Sequence, residues 1–183
     1  MNAPQGLVGG TFSGEDRALV LFRLSLTGNG AFRDVWLPNR PLHQRLFIAR
    51  AGTSQEETGA LPTMPFWLRT TTDQGILIFH GAHGPAHFSL PHELNIWHPL
   101  GSSRPTAMLC IWVPGHDLTR EPVNINVSTS QLVHKICDTI AGYLNSQDIR
   151  VPGVAGRLTP AQIRLHGIIW VSRRDLMPVL TIV

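Results

Sequence analysis

The chain has 183 residues, 43% of them hydrophobic and 15% charged, with a formal net charge of +3. That length suits one domain with its own core, spanning 1–183, and is short for two. The charges are scattered, no basic run offers a grip on nucleic acid, and no apolar run approaches the roughly 18 residues needed to span a membrane.

The opening "MNAPQGLVGGTFSGED" lacks a basic start followed by an apolar stretch, so it does not resemble a signal peptide. Two cysteines, Cys110 and Cys137, are too few for a disulfide framework and lack the C-x-x-C spacing of a zinc or redox site. The expectation is a reduced, cytoplasmic protein with neither membrane nor nucleic acid as partner. All but one of the 15 basic residues are arginine, Lys135 being the exception. This reflects either the base composition of a genome or an enzyme that modifies lysines and displays few of its own.

In chain order, "RALVLFRLSL" is β-rich and ends at Thr27-Gly28-Asn29-Gly30, a cluster suited to a tight reversal. "AFRDVWLP" and "HQRLFIAR" follow as short strands, and the polar segment 51–65 predicts a surface loop. More strands are expected in "PFWLRTT", "GILIFHG", "AHFSLP" and "TAMLCIWV". A helix is predicted over 129–144, with Leu132, Ile136, Ile140 and Leu144 at spacing four and Val133, Cys137 and Ala141 on the flank. Ser128 followed by Gln131 fits a capping box. A weaker helix is placed at Thr159-Pro160, before "GIIWV" and "MPVLTIV" return to β-like composition. The fold class is α+β, an antiparallel β-meander packed against one or two helices.

Two sites are rivals for chemistry. "FHGAHGPAHF" places His80, His83 and His87 together, with His92 and His98 close behind. Neutral imidazoles are common metal ligands, but the spacing matches no closed site, so a histidine-rich turn competes with a metal centre and no metal or cofactor is assigned. Cys110, within "AMLCIWV", is either a small buried hydrophobe or a thiol delivered by a strand to a reactive loop. Its surroundings favour the second: a Trp-Val-Pro-Gly exit, the polar "HDLTREPVNIN", then the capped helix. Cys137 lies on the apolar stripe and reads as packing.

The order His98-Pro99, Leu109-Cys110-Ile111, a Trp-x-Pro step and then a helix resembles ubiquitin-conjugating enzymes, and "LCIWVPGHD" is similar to the version in their bacterial relatives. The resemblance covers residues 88–145, about a third of the chain. It implies a UBC-like fold in which Cys110 accepts a ubiquitin-like modifier from an activating enzyme as a thioester and passes it to an amine. His98 and His92 would activate the thiol, orient the amine or act as a base. Leu100 stands where the family has its oxyanion-steadying asparagine, which leaves Asn95, Asn124 or Asn126 to supply the donor, with Asn124 and Asn126 ranked first. Asp117 would position the amine. The family's N-terminal helix is missing, since residues 1–17 offer Gly, Pro and Ser. Through the bacterial relatives the resemblance also implies antiviral defence and a metal-dependent isopeptidase in the same pathway. The competing reading is a non-catalytic β-rich scaffold or binding module, a pseudo-enzyme.

Overall fold

The structure, a computed structural model, describes residues 32–33, 40–42, 44–45, 66–68, 70, 75–90, 104–113, 115–172 and 174–183. The elements expected at 17–26 and in most of 31–50, the loop 51–65, and the candidates His92, Asn95, His98 and Leu100 lie outside the described residues.

Two long apolar segments form the centre of the sheet. Strands β8 (Ile163–Trp170) and β9 (Asp175–Ile182) make an antiparallel hairpin with a bulge between Leu165 and Gly167. The outer edge of β8 is shared by β4 (Phe66–Trp67) and β5 (Ile76–Leu77), both antiparallel to it. The outer edge of β9 is shared by β2 (Arg40–Pro41), paired near Ile182, and by β6 (Thr106–Ile111), paired near Asp175. Strand β7 (Thr119–Asn124) closes that side against β6, and β1 (Phe32–Arg33) pairs separately with β3 (Gln44–Arg45).

The class is α+β as expected, but the sheet is mixed and not a pure antiparallel meander: β6 and β9 run parallel, with Met108 opposite Asp175 and Leu109 opposite Leu176. A parallel pair needs a long crossover. Here β7, a helix and β8 intervene between the two strands.

That helix, α2 (Thr129–Ser146), starts as the sequence predicts. Ser128 Oγ accepts the Gln131 amide at 3.3 Å, while Gln131 Oε1 accepts the Ser128 amide at 3.2 Å, so both early donors are satisfied. The stripe of Leu132, Ile136, Ile140 and Leu144 is buried, with Val133 and Cys137 beside it. It shares one apolar cluster with Leu109 and Ile111 of β6, Ile168 and Trp170 of β8 and Leu176 and Leu180 of β9. The opposite face of the hairpin is buried too, since Ile169, Met177, Val179 and Thr181 are all shielded. Strands covered on both faces are apolar almost throughout, which is why "GIIWV" and "MPVLTIV" show no alternation.

Elsewhere the chain departs from the expected elements. "GILIFHG" stays extended for two residues and then turns into the short helix α1 (Ile78–Ala82), packed on α2. Gly81 makes this contact possible, because a Cβ there would collide with Cys137 Sγ and lie 2.8 Å from Cys137 Cβ. The described part of "AHFSLP", residues 86–90, holds the end of a 3-10 turn, Pro85–His87, followed by irregular chain, not a strand. The helix expected at Thr159-Pro160 is likewise one 3-10 turn, Pro160–Gln162, capped by Thr159 and Gln162 before β8 begins. "TREPVN", read as loop from its polarity, is a strand: β7 is outermost in its sheet, where an exposed face and a proline are tolerated. Among the described residues no helix is long and apolar enough to cross a membrane.

Candidate functional site

Alternation along β6 decides where Cys110 points. Leu109 and Ile111 join the helix-side core, so Cys110 between them faces the other side of the sheet. There the parallel neighbour β9 begins with Asp175, and the antiparallel neighbour β7 places Arg120 directly opposite Cys110. Three strands thereby bring a thiol, a carboxylate and a guanidinium to one point.

The carboxylate is the hub. Asp175 Oδ1 accepts from Arg120 Nε at 2.8 Å and Nη2 at 2.7 Å, and Cys110 Sγ lies 3.6 Å from the same oxygen. Oδ2 accepts the Ser172 hydroxyl in a short bond. Ser172 Oγ in turn accepts the amides of Arg174 at 3.1 Å and Asp175 at 3.0 Å, which ties the β8–β9 turn to the carboxylate. The Asp175 side chain is only 2% exposed and the Arg120 side chain 42%, so the pair is a buried anion gripped by a cation that still reaches water. A buried charge held this way is stable because it is paired and its lone pairs are filled.

This setting bears directly on Cys110. The residue is 0% exposed, not at a solvent-facing strand exit as expected, because β6 continues through Ile111 and β7 returns alongside it. Burial, followed by the negative charge and hydrogen bond of Asp175, pushes the thiol up to about 12, and the opposing effect of Arg120 is smaller. Cys110 therefore stays a neutral S–H that donates to Asp175, with Met108 O a second acceptor at 3.9 Å. Cys137 is pushed up to about 12 by burial alone.

The remaining candidates do not gather at the thiol. Asn124 sits opposite Thr106, four positions along β6 from Cys110, which is about 13 Å at strand rise. It is exposed and its Oδ1 accepts the Asn126 amide at 2.9 Å, so both asparagines shape the turn before α2. Asp117 is exposed in the β6–β7 turn. Its charge acts on Tyr143, which burial and then Asp117 push upward and whose hydroxyl accepts the Val113 amide at 3.3 Å. His80, His83 and His87 lie exposed on α1 and the turn after it, and among the described residues no three His, Cys, Asp or Glu side chains are placed to share a metal ion.

Sequence reasoning missed Arg120, Asp175 and Ser172. Asp175 carried a usable signal: "SRRD" between two apolar runs marks a hairpin turn, and an acid opening a fully apolar strand needs a cation. No signal local to β7 singles out Arg120, since it depends on strand register.

The chain matches no family model, no curated protein and no solved structure.

Proposed function

We propose that the chain is a non-catalytic α+β scaffold or binding module in which Cys110 is a structural donor. The carrying observation is the thiol itself, fully buried and held protonated against Asp175. A nucleophilic cysteine works as a thiolate within reach of its substrate, and Cys110 has neither property. The dispersal of Asn124, Asn126 and Asp117 supports the same reading.

Iodoacetamide tests it. In the native chain Cys110 labels at least 100-fold more slowly than after unfolding, on the order expected for a thiol that reacts only through opening. Native labelling within tenfold of the unfolded rate removes the support.

A second reading is the ubiquitin-conjugating-like transferase, with Cys110 as thioester carrier and a ubiquitin-like modifier and activating enzyme as partners. The observation in its favour is the order of a cysteine-bearing strand, a hairpin return in β7 and a capped helix. It requires the β6–β9 seam to open before the thiol is charged. A thiol-sensitive adduct formed with an activating enzyme, a ubiquitin-like protein and ATP, and lost in Cys110→Ala, would replace the first reading with this one.

A further inference from the structure

The histidine segment that neither reading uses has a geometry of its own. Helix α1 ends at Ala82, Gly84 takes a φ of 122°, and the chain folds back into the turn Pro85–His87. The amide of His87 donates to Gly84 O at 3.1 Å, and the rings of His83 and His87 come within 5.8 Å of each other, centre to centre, at 70°. Both residues are exposed. His83 Nδ1 lies 2.6 Å from Phe79 O. A carbonyl can only accept, so Nδ1 carries the proton and Nε2 of the neutral ring keeps its lone pair. Metal-bound histidines are oriented in the same way, by a second ring nitrogen donating to a carbonyl.

Ring separation agrees with a shared ion. With metal–nitrogen bonds of about 2.1 Å, two imidazoles at a tetrahedral angle have ring centres about 5.2 Å apart. The observed 5.8 Å exceeds this by about 0.6 Å, and both side chains are exposed. Two ligands leave a tetrahedral ion half coordinated, and among the described residues no third His, Cys, Asp or Glu joins them. Beside the pair, the Phe79 ring lies against His83 with ring centres 4.2 Å apart, tilted by 49°, and is 46% exposed.

We propose that His83 and His87 are half of a zinc-class divalent metal site, completed by the same two residues of a second copy across a two-fold axis. Such an axis turns one half-site into four imidazole ligands with no further residue, and it brings the two Phe79 rings toward each other. The complex has one ion per two chains.

The test uses the full chain, stripped with EDTA and titrated with zinc chloride at neutral pH, read by sedimentation velocity and calorimetry. The expected result is a shift from a 20.2 kDa species to twice that mass, saturating at one zinc per two chains and reversed by EDTA. His83→Ala and His87→Ala each abolish the shift while keeping the circular dichroism of the parent, and His80→Ala preserves it. A mass that ignores zinc, zinc bound one per monomer, or dimerisation that survives His83→Ala would overturn the proposal.

Discussion

Removing the Arg120 guanidinium tests whether the Asp175 hub holds three strands together. Arg120→Ala deletes both bonds to Asp175 Oδ1 and, among the described contacts, leaves that oxygen the Cys110 thiol at 3.6 Å. Stripping one partner from a fully buried ion pair costs about 3–5 kcal/mol. Arg120 is 42% exposed, however, so truncation admits water beside Oδ1, and about 2–3 kcal/mol is the expected loss. Arg120→Lys keeps the charge without the two-nitrogen grip and should lose about half as much. Asp175→Asn keeps the shape, and the double variant Arg120→Ala/Asp175→Asn should be less destabilised than the sum by about 1–3 kcal/mol, since the two groups share one interaction. Urea unfolding followed by tryptophan fluorescence reads this out, because Trp170 is buried next to the hub's hairpin. Arg120→Ala within 0.5 kcal/mol of wild type, or strict additivity in the double variant, would refute the assignment of Asp175 as a desolvated, cation-dependent anion.

Ile136 is fully buried, so Ile136→Ala should cost about 2–5 kcal/mol in the same assay. Gly81→Ala should lose about 1–3 kcal/mol by driving a methyl into Cys137, and Cys137→Ala should recover part of that in the pair, since the sulfur is the nearest obstacle. His166 is buried, its Nε2 2.8 Å from Thr181 Oγ1, and desolvation, with Arg164 adding, lowers its pKa from 6.5 to about 4. On acidification the unfolded chain takes up that proton first. Stability from this group is therefore complete above pH 6.5 and falls by about 1.4 kcal/mol per unit between 6.5 and about 4. Denaturation midpoints measured across that window should show this slope, and His166→Gln should flatten it.

Helix α2 was legible because its signals are local: a capping box and a four-residue apolar repeat act within one element. The class followed from the same periodicities. What could not be read depends on chain that is distant in sequence. Nothing near Cys110 announces that β9, 65 residues on, sets a carboxylate beside it, and without that neighbour the thiol at a Trp-x-Pro exit looked accessible. "GILIFHG" has strand composition, yet the surface offered by α2 at Cys137 takes the chain into a helix at Ile78. "TREPVN" failed for the opposite reason, since an outermost strand with a wet face has the composition of a loop.

The placement of β8 and β9 at the middle of the sheet governs the order in which the molecule can assemble. Every other strand of that sheet except β7 hydrogen-bonds to one of these two, and the partners include residues as early as Arg40, which pairs with Ile182. Strands β2, β4, β5 and β6 therefore leave the ribosome without their partners in β8 and β9 until residues 163–182 have been made, while β1–β3 and β6–β7 can pair earlier. Pairings of such long sequence separation are slow to close, and strands kept waiting present open edges to other chains. Synthesis speed and chaperone access should accordingly weigh more on the yield of this protein than its equilibrium stability does.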